Sequence, residues 1–122
     1  MDAQARTIAV IDDDLRVCES LVNLLVSFGY VADSYESAEQ FLESDSLSRV
    51  CCIVTDVQMR RMSGFDLLQH LKRRNCAIPV IIVTGNPSEE SAAFYLANGS
   101  VGFFRKPVDG DALMDLLGSV CN

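Results

Sequence analysis

Ile8-Ala9-Val10-Ile11-Asp12-Asp13-Asp14 decides the fold: four apolar residues run directly into three aspartates. Three later stretches repeat the form. Cys52-Ile53-Val54-Thr55 runs into Asp56, Val80-Ile81-Ile82-Val83 into Thr84, and Val101-Gly102-Phe103-Phe104-Arg105 into Lys106-Pro107. Apolar runs without alternation suit strands that are covered on both faces. In a parallel α/β sheet, the residues that end such strands converge on one crevice. Carboxylates, a hydroxyl and an ammonium brought together there suit a divalent cation and a phosphoryl group.

Working outward, apolar runs alternate with amphipathic stretches of ten or more residues, the rhythm of βαβ units. Strands are predicted near 7–11, 31–35, 50–55, 79–83 and 101–104. The second, Val31-Ala32-Asp33-Ser34-Tyr35, is more polar and reads as an edge. Residues 15–28 place Val17, Leu21, Leu24, Leu25 and Phe28 on one helical stripe, closed by Gly29. Ser37 caps a short helix that buries Phe41 and Leu42. Residues 64–74 carry Phe65, Leu67, Leu68 and Leu71 and end in Lys72-Arg73-Arg74, which suits the helix dipole. Ser88 caps a helix over 89–98 that Gly99 closes, and a last helix covers about 109–120. In the fourth helix Leu96 is assigned to the core, leaving Phe94, Tyr95 or both partly exposed. The predicted fold is a doubly wound five-stranded parallel sheet, order 2-1-3-4-5, a flavodoxin-like (βα)5 domain over 1–122.

Composition narrows the function. A chain of 122 residues with 49% hydrophobic content is one domain with a real core, not a disordered tail. A net charge of −7 opposes binding to nucleic acid or an anionic membrane and suits a cation site. No apolar run approaches the roughly 20 residues of a membrane span. The first residues, Met1 to Arg6, show no signal-peptide pattern, so a cytoplasmic location is expected. The five cysteines include no C-x-x-C pair; they are expected to be reduced thiols acting as small apolar residues, without zinc. His70, the single histidine, reads as a helix-surface residue.

The strand-end residues carry the chemistry. Aspartates ending neighbouring strands repel one another unless a cation lies between them, and Mg²⁺ fits because it takes a few carboxylates and keeps several waters. A strand-end carboxylate such as Asp56 can attack phosphorus and form an aspartyl phosphate. Lys106 and Thr84 could hold the phosphoryl oxygens. Each residue alone has a plainer reading. Asp12-Asp13-Asp14 also suits a helix start, Asp56 a turn, Thr84 a strand-end hydroxyl and Lys106 a solvated surface charge. Their joint occurrence at four strand ends favours the site.

The whole chain resembles the receiver domain of bacterial two-component response regulators. The resemblance rests on Ile11-Asp12-Asp13-Asp14, Asp56-Val57-Gln58-Met59 with Ser63-Gly64-Phe65-Asp66-Leu67-Leu68, Val83-Thr84-Gly85, Asn98-Gly99-Ser100 and Phe103-Phe104-Arg105-Lys106-Pro107. The last segments are most similar to the FixJ type. The resemblance implies that Asp56 is the phosphoacceptor. It implies that Asp12, Asp13, Asp56 and the main-chain carbonyl of Gln58 bind Mg²⁺, and that Thr84 and Lys106 hold phosphoryl oxygens. Phe103 would be the switch aromatic coupled to Thr84, and Pro107 would follow a cis peptide bond. The phosphoryl donor would be a sensor histidine kinase or histidine phosphotransfer protein, docking on Leu15, Arg16, Cys18, Glu19, Pro107 and Val108. The face made by the fourth helix, fifth strand and fifth helix would support phosphorylation-dependent dimerisation or target binding. Such a domain is not an enzyme beyond promoting its own phosphorylation and dephosphorylation.

Two departures stand out. Arg60, followed by Arg61, replaces the usual proline after the methionine of the loop following strand three, which loosens that loop and brings two cations near an acidic pocket. Asn98 and Ser100 replace the usual small residues around Gly99. Rival readings are a haloacid-dehalogenase-like phosphatase, a flavin-binding flavodoxin relative and an adaptor receiver that is never phosphorylated. The first wants an acid where Gln58 stands, and the second wants small hydroxylic residues and glycine where Asp12-Asp13-Asp14 stands. The third is disfavoured because no site residue is missing.

Overall fold

A computed structural model describes residues 7–85 and 92–121. The elements alternate as β1 (Thr7–Ile11), α1 (Leu15–Ser27), β2 (Val31–Tyr35), α2 (Ala38–Glu43), β3 (Cys52–Asp56), α3 (Gly64–Arg73), β4 (Val80–Thr84), α4 (Ala92–Ala97), β5 (Gly102–Arg105) and α5 (Gly110–Val120), with a 3-10 turn over Asp45–Ser48. All strands are parallel, in the order β2-β1-β3-β4-β5. The polar second strand lies at the edge, and β3 and β4 are buried throughout.

Side-chain alternation splits the core into two layers. Ile8, Val10, Val54, Ile81 and Val83 face α1 and α5 through Leu21, Leu25, Leu113 and Leu117. Ala9, Ile11, Ile53 and Ile82 face α2, α3 and α4 through Phe41, Leu67, Leu71 and Tyr95. Truncating one of these buried leucines to alanine costs about 2–5 kcal/mol.

Strands three and four start later than the sequence suggests and run further. Pro79 has no N–H to donate, but its carbonyl accepts from Ile53 at 2.9 Å, and the ladder continues until Asp56 pairs with Val83. Asp56 and Thr84 are therefore the last residues of their strands. In α1 the buried stripe ends at Leu25. Phe28 is the C-cap and is 47% exposed, and Gly29 takes the turn at φ 94.

The fourth helix corrects the assignment of its side chains. Leu96 is 48% exposed, against its assignment to the core; of the two aromatics Tyr95 is buried at 2% exposure and Phe94 is the partly exposed one. The Tyr95 ring stacks on Phe103 of β5 at 5.6 Å and meets Phe65 and Phe94 edge-on. Phe94 is half-buried against Phe65, with ring centroids 5.3 Å apart. This aromatic cluster takes the sheet side of α4 and turns Leu96 outward. The predicted start of the helix at residue 89 and its Ser88 cap lie outside the described residues.

The cysteines bring a second correction. Cys51, just before β3, and Cys121, the C-cap of α5, form a disulfide across a Cα–Cα distance of 5.5 Å. They are 70 residues apart, and both pack on the α1/α5 layer. Cys18, Cys52 and Cys76 remain free thiols; burial pushes the Cys52 thiol up to about 12. His70 lies on α3 and is half-buried, in keeping with a helix-surface residue. No described helix is long and apolar enough to cross a membrane.

Candidate functional site

The carboxyl ends of β1, β3 and β5 meet as their order requires. Asp12, one residue past β1, is 2% exposed. Its Oδ1 accepts from the amide of Asp14 at 2.9 Å, its own amide donates to the Tyr35 carbonyl at 3.1 Å, and the Cys18 thiol donates to its carbonyl at 3.2 Å. These contacts fix the strand end, and Asp14 then caps α1 by accepting from the Arg16 amide. Burial, followed by the nearby Asp12 charge, raises the Cys18 thiol to about 11, so it stays protonated.

Asp56 is 9% exposed, and its Oδ1 accepts from the Val57 amide at 2.8 Å. Lys106 crosses to it from the far side of β4. Its Nζ lies 2.9 Å from Asp12 Oδ2 and 3.5 Å from Asp56 Oδ2. Burial pushes the Asp56 carboxyl up, the Asp12 charge pushes it further, and Lys106 and the Val57 amide oppose them, leaving it at about 6. Burial works against the Lys106 ammonium, but the Asp12 hydrogen bond and the charges of Asp56 and Asp12 outweigh it and raise its pKa.

Asp13 completes the group from the exposed side. Oxygens of Asp12, Asp13 and Asp56 all lie within 4.8 Å of one another. Three carboxylates so close, one of them open to solvent, suit a hard, partly hydrated cation, and Mg²⁺ belongs to that class. Thr84 is 1% exposed, and its carbonyl accepts from the Lys106 amide at 2.8 Å. The Lys106–Pro107 peptide bond is cis, as anticipated.

The sequence profile of the response regulator receiver domain matches residues 8–118. The chain belongs to this family. The response regulator protein TodT of Pseudomonas putida is 34% identical over 114 residues, 93% of this chain and 50% of TodT. FixJ of Azorhizobium caulinodans, a transcriptional regulatory protein, is 39% identical over 105 residues, 86% of this chain and 50% of FixJ. The chain thus spans about half the length of these curated relatives. The solved structure of FixJ-N superposes with a TM-score of 0.81 at 30% identity, covering 94% of this chain and 92% of that one. The FixJ likeness read from the sequence agrees with these neighbours.

Within this receiver domain, Asp12, Asp13, Asp56 and Lys106 come together, and Thr84 joins Lys106 through the backbone. Gln58 follows in the exposed loop. Phe103 is half-buried, with the Arg105 guanidinium 5.9 Å from the centre of its ring. Cys18 points inward and cannot serve a docking surface, a correction to its predicted role.

Two residues support the site: Gly64, whose role sequence reasoning missed, and Arg60, which the sequence singles out. A Cβ at Gly64 would sit 2.2 Å from the Asp56 carbonyl, so only glycine lets α3 start against the strand end. The Arg60 amide donates to Asp13 Oδ2 at 3.3 Å. The loop carrying Arg60 is also held where the Met62 amide meets Glu39 and the Gly64 amide meets the Val57 carbonyl. These ties replace the restraint that the missing proline would give.

Proposed function

We propose that this domain is a phosphorylation-controlled switch that accepts a phosphoryl group on Asp56. The observation that carries the reading is the cluster of Asp12, Asp13 and Asp56 spanned by Lys106. In the transfer, an Asp56 carboxylate oxygen attacks phosphorus. The P–N bond of a phosphohistidine breaks, and its electron pair leaves with the imidazole. The product is an acyl phosphate on Asp56.

The chain's own groups set up this step. The Val57 amide holds Asp56 Oδ1, which leaves Oδ2 toward the crevice. Lys106 lies within 3.5 Å of that oxygen and can follow the incoming phosphoryl oxygens. Asp12, Asp13, Asp56 and the Gln58 carbonyl would hold Mg²⁺, which when bound neutralises charge on the transferring group. The Thr84 hydroxyl would take a phosphoryl oxygen after transfer. Phe103 would then move inward, breaking its stack on Tyr95 and reshaping the α4–β5–α5 face. The domain promotes these reactions only on itself.

The donor is a sensor histidine kinase or a histidine phosphotransfer protein. A groove of about 640 Å³ between α1 and the loop after β5, lined by Val17, Leu21, Leu24, Lys106, Pro107 and Val108, suits that partner. Leu15 stands 63% exposed beside it. The acidic balance favours neither nucleic acid nor membrane as a direct partner, and a cytoplasmic setting suits such a switch.

Acetyl phosphate with Mg²⁺ should add the mass of one phosphoryl group, at Asp56, by intact-mass spectrometry. Equal modification of an Asp56→Asn variant would overturn the reading.

A further inference from the structure

Charge is spread unevenly over this acidic chain. Residues 60–74 hold Arg60, Arg61, Lys72, Arg73 and Arg74, five of the ten lysines and arginines, with only Asp66 among the seventeen acids. The remainder carries five cations against sixteen acids. Lys72, Arg73 and Arg74 have a local reason, because cations favour the carbonyl end of a helix. Arg60 and Arg61 have none. They precede the amino end of α3, where the dipole disfavours cations. Arg61 also sits at φ 63, a left-handed conformation that L side chains seldom adopt. All five are exposed, and among the described residues none is in an ion pair.

Cations from the two ends of α3 meet in one groove. It has a volume of about 480 Å³ and runs between the loop before α3 and the outer face of that helix. Arg61, His70 and Arg73 line it beside Gln69 and one carboxylate, Asp66, whose Oδ2 accepts from the Ser63 amide at 3.0 Å; Met62 and Phe65 are its apolar contacts. We propose that this groove docks an acidic peptide segment of a partner protein. Carboxylates of the segment sit on Arg61 and Arg73, and one apolar side chain packs on Met62 and Phe65.

Charge complementarity selects that occupant. Nucleic acid wants a basic track past many phosphates, and the rest of this surface repels a polyanion. A second copy would have to present a different, acidic face, a head-to-tail contact that does not close into a dimer. The proposal stands apart from the phosphoryl chemistry, so either can fail alone.

The test titrates the full chain into a fluorescein-labelled, glutamate-rich peptide bearing one phenylalanine, followed by anisotropy at low salt. Wild type should bind. An Arg61→Glu/Arg73→Glu variant with an unchanged circular dichroism spectrum should bind roughly tenfold more weakly or worse. Arg6→Glu/Arg49→Glu, with the same change in net charge outside residues 60–74, should bind as wild type does. Replacing the phenylalanine of the peptide by serine should also weaken binding. Absence of binding, equal binding by the first variant, or equal loss in both variants would overturn the proposal. So would tighter binding of labelled oligothymidylate, or self-association in sedimentation that is lost with Arg61→Glu/Arg73→Glu.

Discussion

Lys106 reaches Asp12 from a strand that is not its neighbour: β5 lies beyond β4 and β3, yet the ammonium sits 2.9 Å from Asp12 Oδ2. The same ammonium lies 3.5 Å from Asp56. Asp12 is nearly fully buried and Lys106 only partly, so the pair is not a screened surface contact. Lys106→Met should therefore strand two carboxylates. Without divalent cation, urea unfolding should show a loss of about 2–4 kcal/mol at neutral pH. Mg²⁺ should restore part of it, since the carboxylates regain a counter-charge. Unchanged stability in both conditions would show that the pair contributes nothing.

Asp56 gives a pH signature. Its carboxyl sits at about 6 in the folded chain against 3.8 for the ordinary group, chiefly because burial disfavours the charge. Between these values the folded state binds the proton more readily than the unfolded state does. Stability attributable to Asp56 is therefore greatest at low pH and is lost as pH rises from about 4 to 6. Asp56→Asn cannot ionise. In chelator, the variant should gain on wild type across that window, by about 2–3 kcal/mol once it is passed. Paired urea melts at several pH values check this, and a constant difference would contradict it.

Arg60 makes a contact that the family's usual proline could not. Its amide donates to Asp13 Oδ2 at 3.3 Å, and proline carries no N–H. A metal taking that oxygen competes with the amide for its electron density. Arg60→Pro should raise Mg²⁺ affinity by about twofold to fivefold, the worth of one exposed hydrogen bond. Calorimetric titration of the variant with Mg²⁺ measures it. Weaker binding would mean that the contact orients Asp13 for the metal instead of competing with it.

The sequence displays most of this crevice because each of its residues ends an apolar run. Strand periodicity plus parallel order is enough to bring Asp12, Asp56, Thr84 and Lys106 to one edge. Asp13 follows because it adjoins Asp12. Contacts that depend on how helices settle are not displayed. The sequence pattern along α4 does not fix which side faces the sheet, and Phe65 and Phe103 from other elements decide that Tyr95 goes in. The Cys51–Cys121 pairing depends on where α5 ends relative to the start of β3, which spacing along the chain does not encode. The support from Gly64 is a matter of distance to the Asp56 carbonyl, visible only once α3 is placed.

That rotation of α4 moves the expected output surface. Tyr95 is buried and Phe94 half-buried, so the exposed apolar groups near β5 are Leu96 at 48% and Val101 at 37%. A phosphorylation-dependent partner on the α4–β5–α5 face would meet these residues. Leu96 is the better probe, because it touches solvent in the resting state and its loss leaves the Tyr95–Phe103 stack intact. Burying one leucine in an interface contributes about 1.5–3 kcal/mol per subunit. Leu96→Ser should therefore weaken association induced by the phosphoryl mimic beryllofluoride by about tenfold or more, while leaving phosphorylation of Asp56 unchanged. Phe103→Ala should also weaken it, but by removing the coupling to Thr84, so that association no longer depends on the mimic. Sedimentation of the three proteins with and without beryllofluoride separates the two effects. Association by Leu96→Ser equal to that of wild type would exclude this face from the output.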